Sequence, residues 1–389
     1  MAATQKTSLP EPDAAAREHS ASVVAAVRAE IESAGGFISF ARYMQIVLYA
    51  PGLGYYVAGA RKFGHGGDFV TAPELSALFA QALAVQVTEI LATTAVREIV
   101  ELGAGSGALA ADLLNALAAR DALPTRYAIL EVSPDLRERQ RVTLLRRAPQ
   151  HLSRVIWLDM LPSVIDGAVL MNEVLDAVPT HVVRRRDGAW FERGVALGDP
   201  LHWEDQPLAD DALRALARER FPPAGDYTSE INPAAEALVA DVGACLIGGS
   251  LLVIDYGFPQ AEFYHPQRSA GTLMGHYRHH AHADPFLWPG LSDLTAHVDF
   301  TAIALSGERS GLALAGYASQ AAFLLGCGIL DRLADCGDST STAYLREASA
   351  VQTLTSPAEM GELFKVLALA KGPAIAWPGF ALADRSHRL

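Results

Sequence analysis

The chain has 389 residues, half of them hydrophobic and 19% charged, a balance that excludes a disordered polymer and a polytopic membrane protein and leaves room for a large core. Asp plus Glu number 44 against 31 Lys plus Arg, and the resulting formal charge of −13 repels phosphate and argues against nucleic acid as a partner. The cysteines at 245, 327 and 336 match neither a disulfide framework nor a CxxC zinc pattern, which points to a reducing, cytoplasmic setting.

The first twenty residues carry Glu11, Asp13 and Glu18 without a basic stretch leading into an apolar run, so a frayed tail is expected rather than a targeting signal. Ala14 to Ala34 reads as a helix closed by Gly35-Gly36, and Ser39 to Tyr49 as a second helix stopped at Pro51. A Gly-rich loop, Phe63 to Asp68, leads into TAPE. There Thr71 and Glu74 stand three apart as in a capping box, ahead of Leu75, Leu78, Phe79 and Ala82 at helical spacing. Residues 1–95 are thus expected to form a helical cap with a Gly-rich loop, and 96–389 an α/β domain with insertions near 177–230, 258–298 and 318–360.

From Val96 short apolar runs alternate with helical segments, the pattern of a parallel sheet. REIVEL, YAILE, VIWLD, AVLMN and SLLVID read as five strands, and LALAGYAS and FKVLALA as two more. Helices are expected over Ala108 to Ala119, from Ser133-Pro134 to about Arg147, and after Asn232-Pro233. RRRD, Arg184 to Asp187, reads as a solvated turn. Gly311 to Leu330 carries no charge and is long enough to span a bilayer, but its glycines and the lack of flanking basic residues favour a strand followed by a buried helix, so no membrane span is expected.

The chemistry concentrates where REIVEL runs into GAGSG and a helix. Gly103, Gly105 and Gly107 occupy a strand-to-helix turn at which backbone can approach a ligand closely. Glycines alone do not separate a nicotinamide dinucleotide from S-adenosylmethionine. Glu101 does: a carboxylate at the loop mouth opposes a pyrophosphate and suits an ammonium and a sulfonium. Glu131, ending the second strand, is placed to accept ribose hydroxyls. Asp159 and Met160 close the third strand, where they would receive an adenine ring. Asn172, Glu173 and Asp176 follow the fourth, at the carboxyl edge where open α/β sheets bind ligands. His276, His279, His280 and His282 lie close in sequence but fit no standard zinc spacing, and no metal is expected.

Eight blocks in order, FARYMQIVLYAPGLGYY, GDFVTAPE, ELGAGSG, NEVLDAVP, IDYG, the GT and YR of GTLMGHYRHH, DLTAHVDF and MGELFKVL, resemble the MidA-like methyltransferases from about Gly36 to Ala370. That family includes a mitochondrial complex I assembly factor that methylates arginine on a core subunit. The resemblance implies a class I methyltransferase, a Rossmann-like seven-stranded sheet with an N-terminal helical cap and helical insertions. It also implies S-adenosyl-L-methionine bound at Gly103, Gly105, Gly107 and Glu131, and a protein substrate with an accessible arginine, with a respiratory complex I subunit as one such acceptor. Ala104 stands where many relatives have proline. For an arginine acceptor, Glu173 and Asp176 are the expected guanidinium clamp, with Asp68 on the Gly-rich loop as a further catalytic candidate. The alternatives are a non-catalytic assembly module that binds the same cofactor and, more remotely, a nicotinamide oxidoreductase.

Overall fold

The computed structural model describes residues 9–58 and 71–389, so the Gly-rich loop and Asp68 lie outside the described residues. Among the described residues seven strands form the main path of the central sheet: β1 Glu98–Leu102, β2 Arg126–Leu130, β3 Val155–Leu158, β4 Ile165–Asn172, β5 Leu246–Phe258, β6 Ala313–Ser319 and β7 Phe364–Lys371, with the two-residue strand Val298–Asp299 added parallel to the end of β5. Their order is β3-β2-β1-β4-β5-β7-β6, with β1 to β5 parallel and β7 antiparallel to both of its neighbours. This is the doubly wound sheet expected from the alternating pattern.

Both faces of the sheet are covered, which is why its strands read as nearly unbroken apolar runs. Ile99 and Leu252 pack on one side with Phe79 and Leu83 of the helix Ala77–Ala92 and Leu113 of the helix Ala108–Ala118. Their neighbours Val100 and Val253 point the opposite way, onto Val239 of the helix Pro233–Cys245 and Phe300 and Ile303 of the helix Phe300–Arg309. The strand order reverses between β1 and β4, and a crevice opens at the carboxyl ends of strands on either side of such a reversal.

Two smaller sheets flank this unit. The strand Phe37–Ser39, between the helices Ala14–Ser33 and Phe40–Tyr49, pairs antiparallel with Ala189–Ala196; His181–Arg186, His202–Pro207 and Tyr227–Ile231 complete that sheet. The other consists of Met274–Tyr277, His280–His282 and Asp293–Thr295.

Two local expectations are corrected. Arg184 to Arg186 are strand residues rather than a solvated turn. Arg185 is buried, donates to the carbonyls of Pro222 and Gly225 and lies over Trp190, while Arg184 pairs with Asp205 at 2.8 Å. Only Asp187 and Gly188, both at positive φ, form the turn, a two-residue hairpin. The Thr71 side chain makes no capping bond, and the short helix Ala72–Leu75 stops at Ser76. Ser76, at φ −160°, then caps the next helix through the Leu78 N–H, while Glu74 is engaged by Ser106 instead of its own backbone. The uncharged stretch from Gly311 to Leu330 supplies β6, the helix Gln320–Gly326 and the start of the helix Ile329–Ala334, and no described helix is long and apolar enough to cross a membrane.

Candidate functional site

A cavity of about 270 Å³ lies at the carboxyl ends of β1, β2, β4 and β5, on the strand-order reversal. Glu101, Gly103, Gly105, Glu131, Asn172, Glu173 and Asp176 line it together, although the sequence spreads them over three segments. Gly107 stands behind the loop. It caps the helix Ala108–Ala118 at φ +81°, and a Cβ there would meet Gln140 Cα at 2.9 Å, so this glycine serves the packing of the loop on its neighbouring helix.

One wall is the loop and the end of β2. Glu131 Oε1 accepts the Ser133 N–H at 2.9 Å and Oε2 accepts Gln140 Nε2 at 3.0 Å. A carboxylate has about four lone-pair directions, so two remain for a diol. Gln140, fully buried, also donates to the Gly105 carbonyl at 3.2 Å and accepts the Trp157 indole N–H at 2.9 Å. It ties the acid to the glycine loop, and no local pattern in the sequence singled it out. Glu101 is buried rather than at a solvent-facing mouth. Loss of solvent and the charge of Glu131 push its carboxyl up to about 7, against the opposing bond from the Tyr127 hydroxyl at 2.7 Å.

Asp159 and Met160 are not brought to the cavity wall. The Asp159 carboxylate points to solvent and pairs with Arg137 at 2.7 Å, and Met160 is 76% exposed. Arg137 accounts for this placement by bonding the Glu131 and Leu158 carbonyls together with Asp159.

The opposite wall carries the acids after β4. Glu173 sits at φ +54°, a conformation that a non-glycine residue adopts at a cost of roughly 1 kcal/mol or more, held by its N–H on the Ile254 carbonyl at 2.9 Å. Burial, then the charge of Asp176, pushes its carboxyl up to about 8, against the Asn172 amide and the Ala72 backbone. Asp176 Oδ2 accepts the Tyr256 hydroxyl, while Asp176 Oδ1 and Asn172 Oδ1 are buried acceptors with no partner among the described residues. Buried polar atoms in this condition mark a place where a ligand completes the bonding.

The loop bearing these acids hangs on Asp255 of β5. Its Oδ2 accepts the N–H groups of Val174, Leu175 and Asp176 at 3.0 to 3.3 Å, and its Oδ1 accepts the Tyr256 N–H at 2.9 Å. Burial first, then the charges of Asp176 and Glu173, hold the Asp255 carboxyl well above its ordinary range. Tyr49, Tyr55, Tyr56 and Asp293 close the cavity from the two flanking units. Sequence reasoning missed these, since only tertiary folding carries them to the sheet edge.

The wall of glycine backbone and Glu131 can take a nucleoside, and the acid and tyrosine wall can take a cation. Among the described residues no group of three or more His, Cys, Asp or Glu is arranged to hold a metal ion, and His276 is half-buried, its ring pushed down to about 4 by loss of solvent and by His282.

Comparison with known proteins agrees with this chemistry. Residues 80–318 match the Methyltransf_28 family of S-adenosyl-L-methionine-dependent methyltransferases. The mouse mitochondrial protein arginine methyltransferase NDUFAF7 is 30% identical over 371 residues, covering 86% of this chain and 81% of its own. Its human counterpart is 29% identical over the same length. A Burkholderia thailandensis protein crystallised with S-adenosylhomocysteine superposes with a TM-score of 0.95 at 50% identity, covering 98% of this chain and all of its own.

Proposed function

The chain belongs to this family of S-adenosyl-L-methionine-dependent methyltransferases, and from that membership we propose that it methylates an arginine side chain of a protein partner. One observation carries the choice of acceptor: two carboxylates, Glu173 half-buried and Asp176 buried, face the cavity from a single loop, one with an oxygen left without a partner. An apolar or anionic acceptor would leave those acids uncompensated in a site of low dielectric, whereas a guanidinium meets them with up to five N–H donors. The name of the mouse relative supports the same reading.

In this reading Gly103, Gly105, Glu131, Glu101 and Asn172 hold the cofactor. Bound S-adenosylmethionine supplies an electrophilic methyl carbon. Glu131 fixes the ribose, and the glycine backbone leaves room for the amino-acid end beside Glu101. Glu173 and Asp176 hold the guanidinium so that one nitrogen faces the methyl, and their negative charge favours loss of the proton released from that nitrogen. Catalysis is then mainly positioning and electrostatics, with no covalent intermediate. We leave Asp159 and Met160 out of this site.

We assign the reaction to the cytoplasm, on the three unpaired thiols, of which Cys327 is buried. Mass spectrometry of arginine methylation in cells with and without the gene tests the proposal. A methylarginine that disappears with the gene and returns with the wild-type protein supports it; an unchanged methylarginine set refutes it.

A further inference from the structure

One carboxylate on the acceptor wall has no part in the reading above. Asp293 opens the strand Asp293–Thr295, is buried, and lines the same cavity as Glu173 and Asp176. The chain just beyond it is pinned to the clamp loop, because the Ala296 N–H donates to the Asp176 carbonyl at 3.0 Å. The acid itself is aimed by Tyr56, whose hydroxyl donates to Asp293 Oδ1 at 2.8 Å. Tyr56 in turn stacks on Tyr49, with ring centroids 5.4 Å apart and planes 26° apart, and the Tyr49 hydroxyl donates to the Ala177 carbonyl at 3.0 Å. The turn after the helix Phe40–Tyr49 therefore braces both acid-bearing walls at once.

We propose that Asp293, positioned by Tyr56, is the residue that makes the acceptor subsite demand a cation, the acceptor side chain running along the Tyr49 and Tyr56 rings toward Glu173 and Asp176. This rests on the arginine reading and adds to it a residue contributed from outside the methyltransferase sheet. Tyrosine rings attract a cation through their negative faces and pack equally well on an alkyl stem. They do not by themselves reject a neutral side chain of the same shape. A buried carboxylate does, because the arriving side chain takes away its remaining solvent, and a cation returns that energy where a neutral group of the same shape does not. Burial and the adjacent Asp293 charge hold the Tyr56 hydroxyl well above its ordinary pKa, so it stays a donor at any physiological pH.

The test uses the full chain saturated with S-adenosylhomocysteine and two probes, the blocked peptide acetyl-Gly-Arg-Gly-amide and its neutral citrulline counterpart, with binding read by ligand-observed NMR. Wild type is expected to prefer the arginine peptide. Asp293→Asn should weaken that peptide about tenfold, leave the citrulline peptide unchanged and leave S-adenosylhomocysteine affinity within about twofold. Tyr56→Phe, which removes one hydroxyl and keeps the ring, should do the same to a smaller extent, and it serves if the asparagine variant fails to fold. A wild type without preference for arginine over citrulline overturns the arginine reading and this inference with it. A wild type that prefers arginine, with both variants keeping that preference in full, overturns only the role of Asp293. Equal losses for both peptides would show that Asp293 is structural and likewise overturn it.

Discussion

The two walls of the cavity are built on different principles. The wall assigned to the cofactor comes from neighbouring strand ends, Glu101 to Gly105 at the end of β1 and Glu131 after β2, and works through backbone shape and two carboxylates. The wall assigned to the acceptor gathers Tyr49, Tyr56, Glu173, Asp176, Tyr256 and Asp293 from two sheets and an N-terminal helix end and turn, and works through charge held away from solvent. A binder of a common cofactor can thus be written into a short stretch of chain, whereas a selective acceptor site needs the flanking units. If so, the two walls should fail independently.

The largest effect is expected on the cofactor side. Gly105 lies on the cavity at φ +53°, so a branched side chain would both strain the turn and fill the space beside the ligand. Gly105→Val should abolish S-adenosylhomocysteine binding in calorimetry, a loss of at least about a hundredfold, equivalent to ~2.7 kcal/mol. Retained affinity would remove the glycine loop from the cofactor site.

Asp176→Asn is the converse. The amide keeps the shape and can still accept the Tyr256 hydroxyl, but it removes the charge beside the unpartnered oxygen. Methyl transfer should fall by about two to three orders of magnitude, the range for losing one electrostatic contact to a transition state, with cofactor affinity within about twofold. A variant that methylates normally would shift the clamp to Glu173 alone, and one that lost cofactor and acceptor together would show that the walls are not separable.

How much of this division was legible in the sequence follows from the same contrast. ELGAGSG ending a strand announces a ligand turn because strand, glycines and helix are contiguous, and NEVLDAVP announces acids at a strand end for the same reason. Gln140 escaped because an amide inside a helix looks like any surface glutamine until Glu131, Gly105 and Trp157 surround it. Tyr56 and Asp293 lie far apart in the chain and meet only because one turn and one short sheet fold over the same edge. Asp159 and Met160 end β3 at the place the strand pattern gives for an adenine, but they lie off the cavity wall, where Arg137 holds the acid outward. The strands around Arg184 to Arg186 were hidden by their charge, although Asp187-Gly188 between apolar-flanked runs is a hairpin signal.

A smaller effect concerns pH. Burial and Asp176 raise the Glu173 carboxyl from 4.5 to about 8, so between those values the folded chain holds a proton that the unfolded chain has released. Stability from this group is complete below the lower value and is lost as pH rises through the upper one. The thermal midpoint of the cofactor-free protein should therefore decline from about pH 5 to about pH 8.5, and Glu173→Gln should flatten the slope. A cationic acceptor should reverse the sign, since its charge expels the proton, and calorimetry in buffers of different ionisation heat would register proton release. An unchanged slope in the variant would mean that Glu173 is not the titrating group and that the acceptor wall is less deeply buried than its geometry indicates.

The smallest effect separates the flanking sheet from the site. Gly188 takes φ +77° in the hairpin between His181–Arg186 and Ala189–Ala196, and a Cβ there would meet no atom within 4 Å. Its replacement is opposed by backbone conformation alone, which for an alanine forced into the left-handed region costs about 1 kcal/mol. In a chain of this size that corresponds to a fall in thermal midpoint of about 1 to 2 °C. Gly188→Ala should show that fall with cofactor affinity and methyl transfer unchanged, because the hairpin tip supplies no residue to the cavity. Should the rate drop while the midpoint barely moves, the sheet would be more than scaffold. The effect would have to travel through Phe37–Ser39, which pairs with Ala189–Ala196, into the adjoining helix Phe40–Tyr49 and the tyrosines at its end, making the acceptor wall responsive to a surface remote from it.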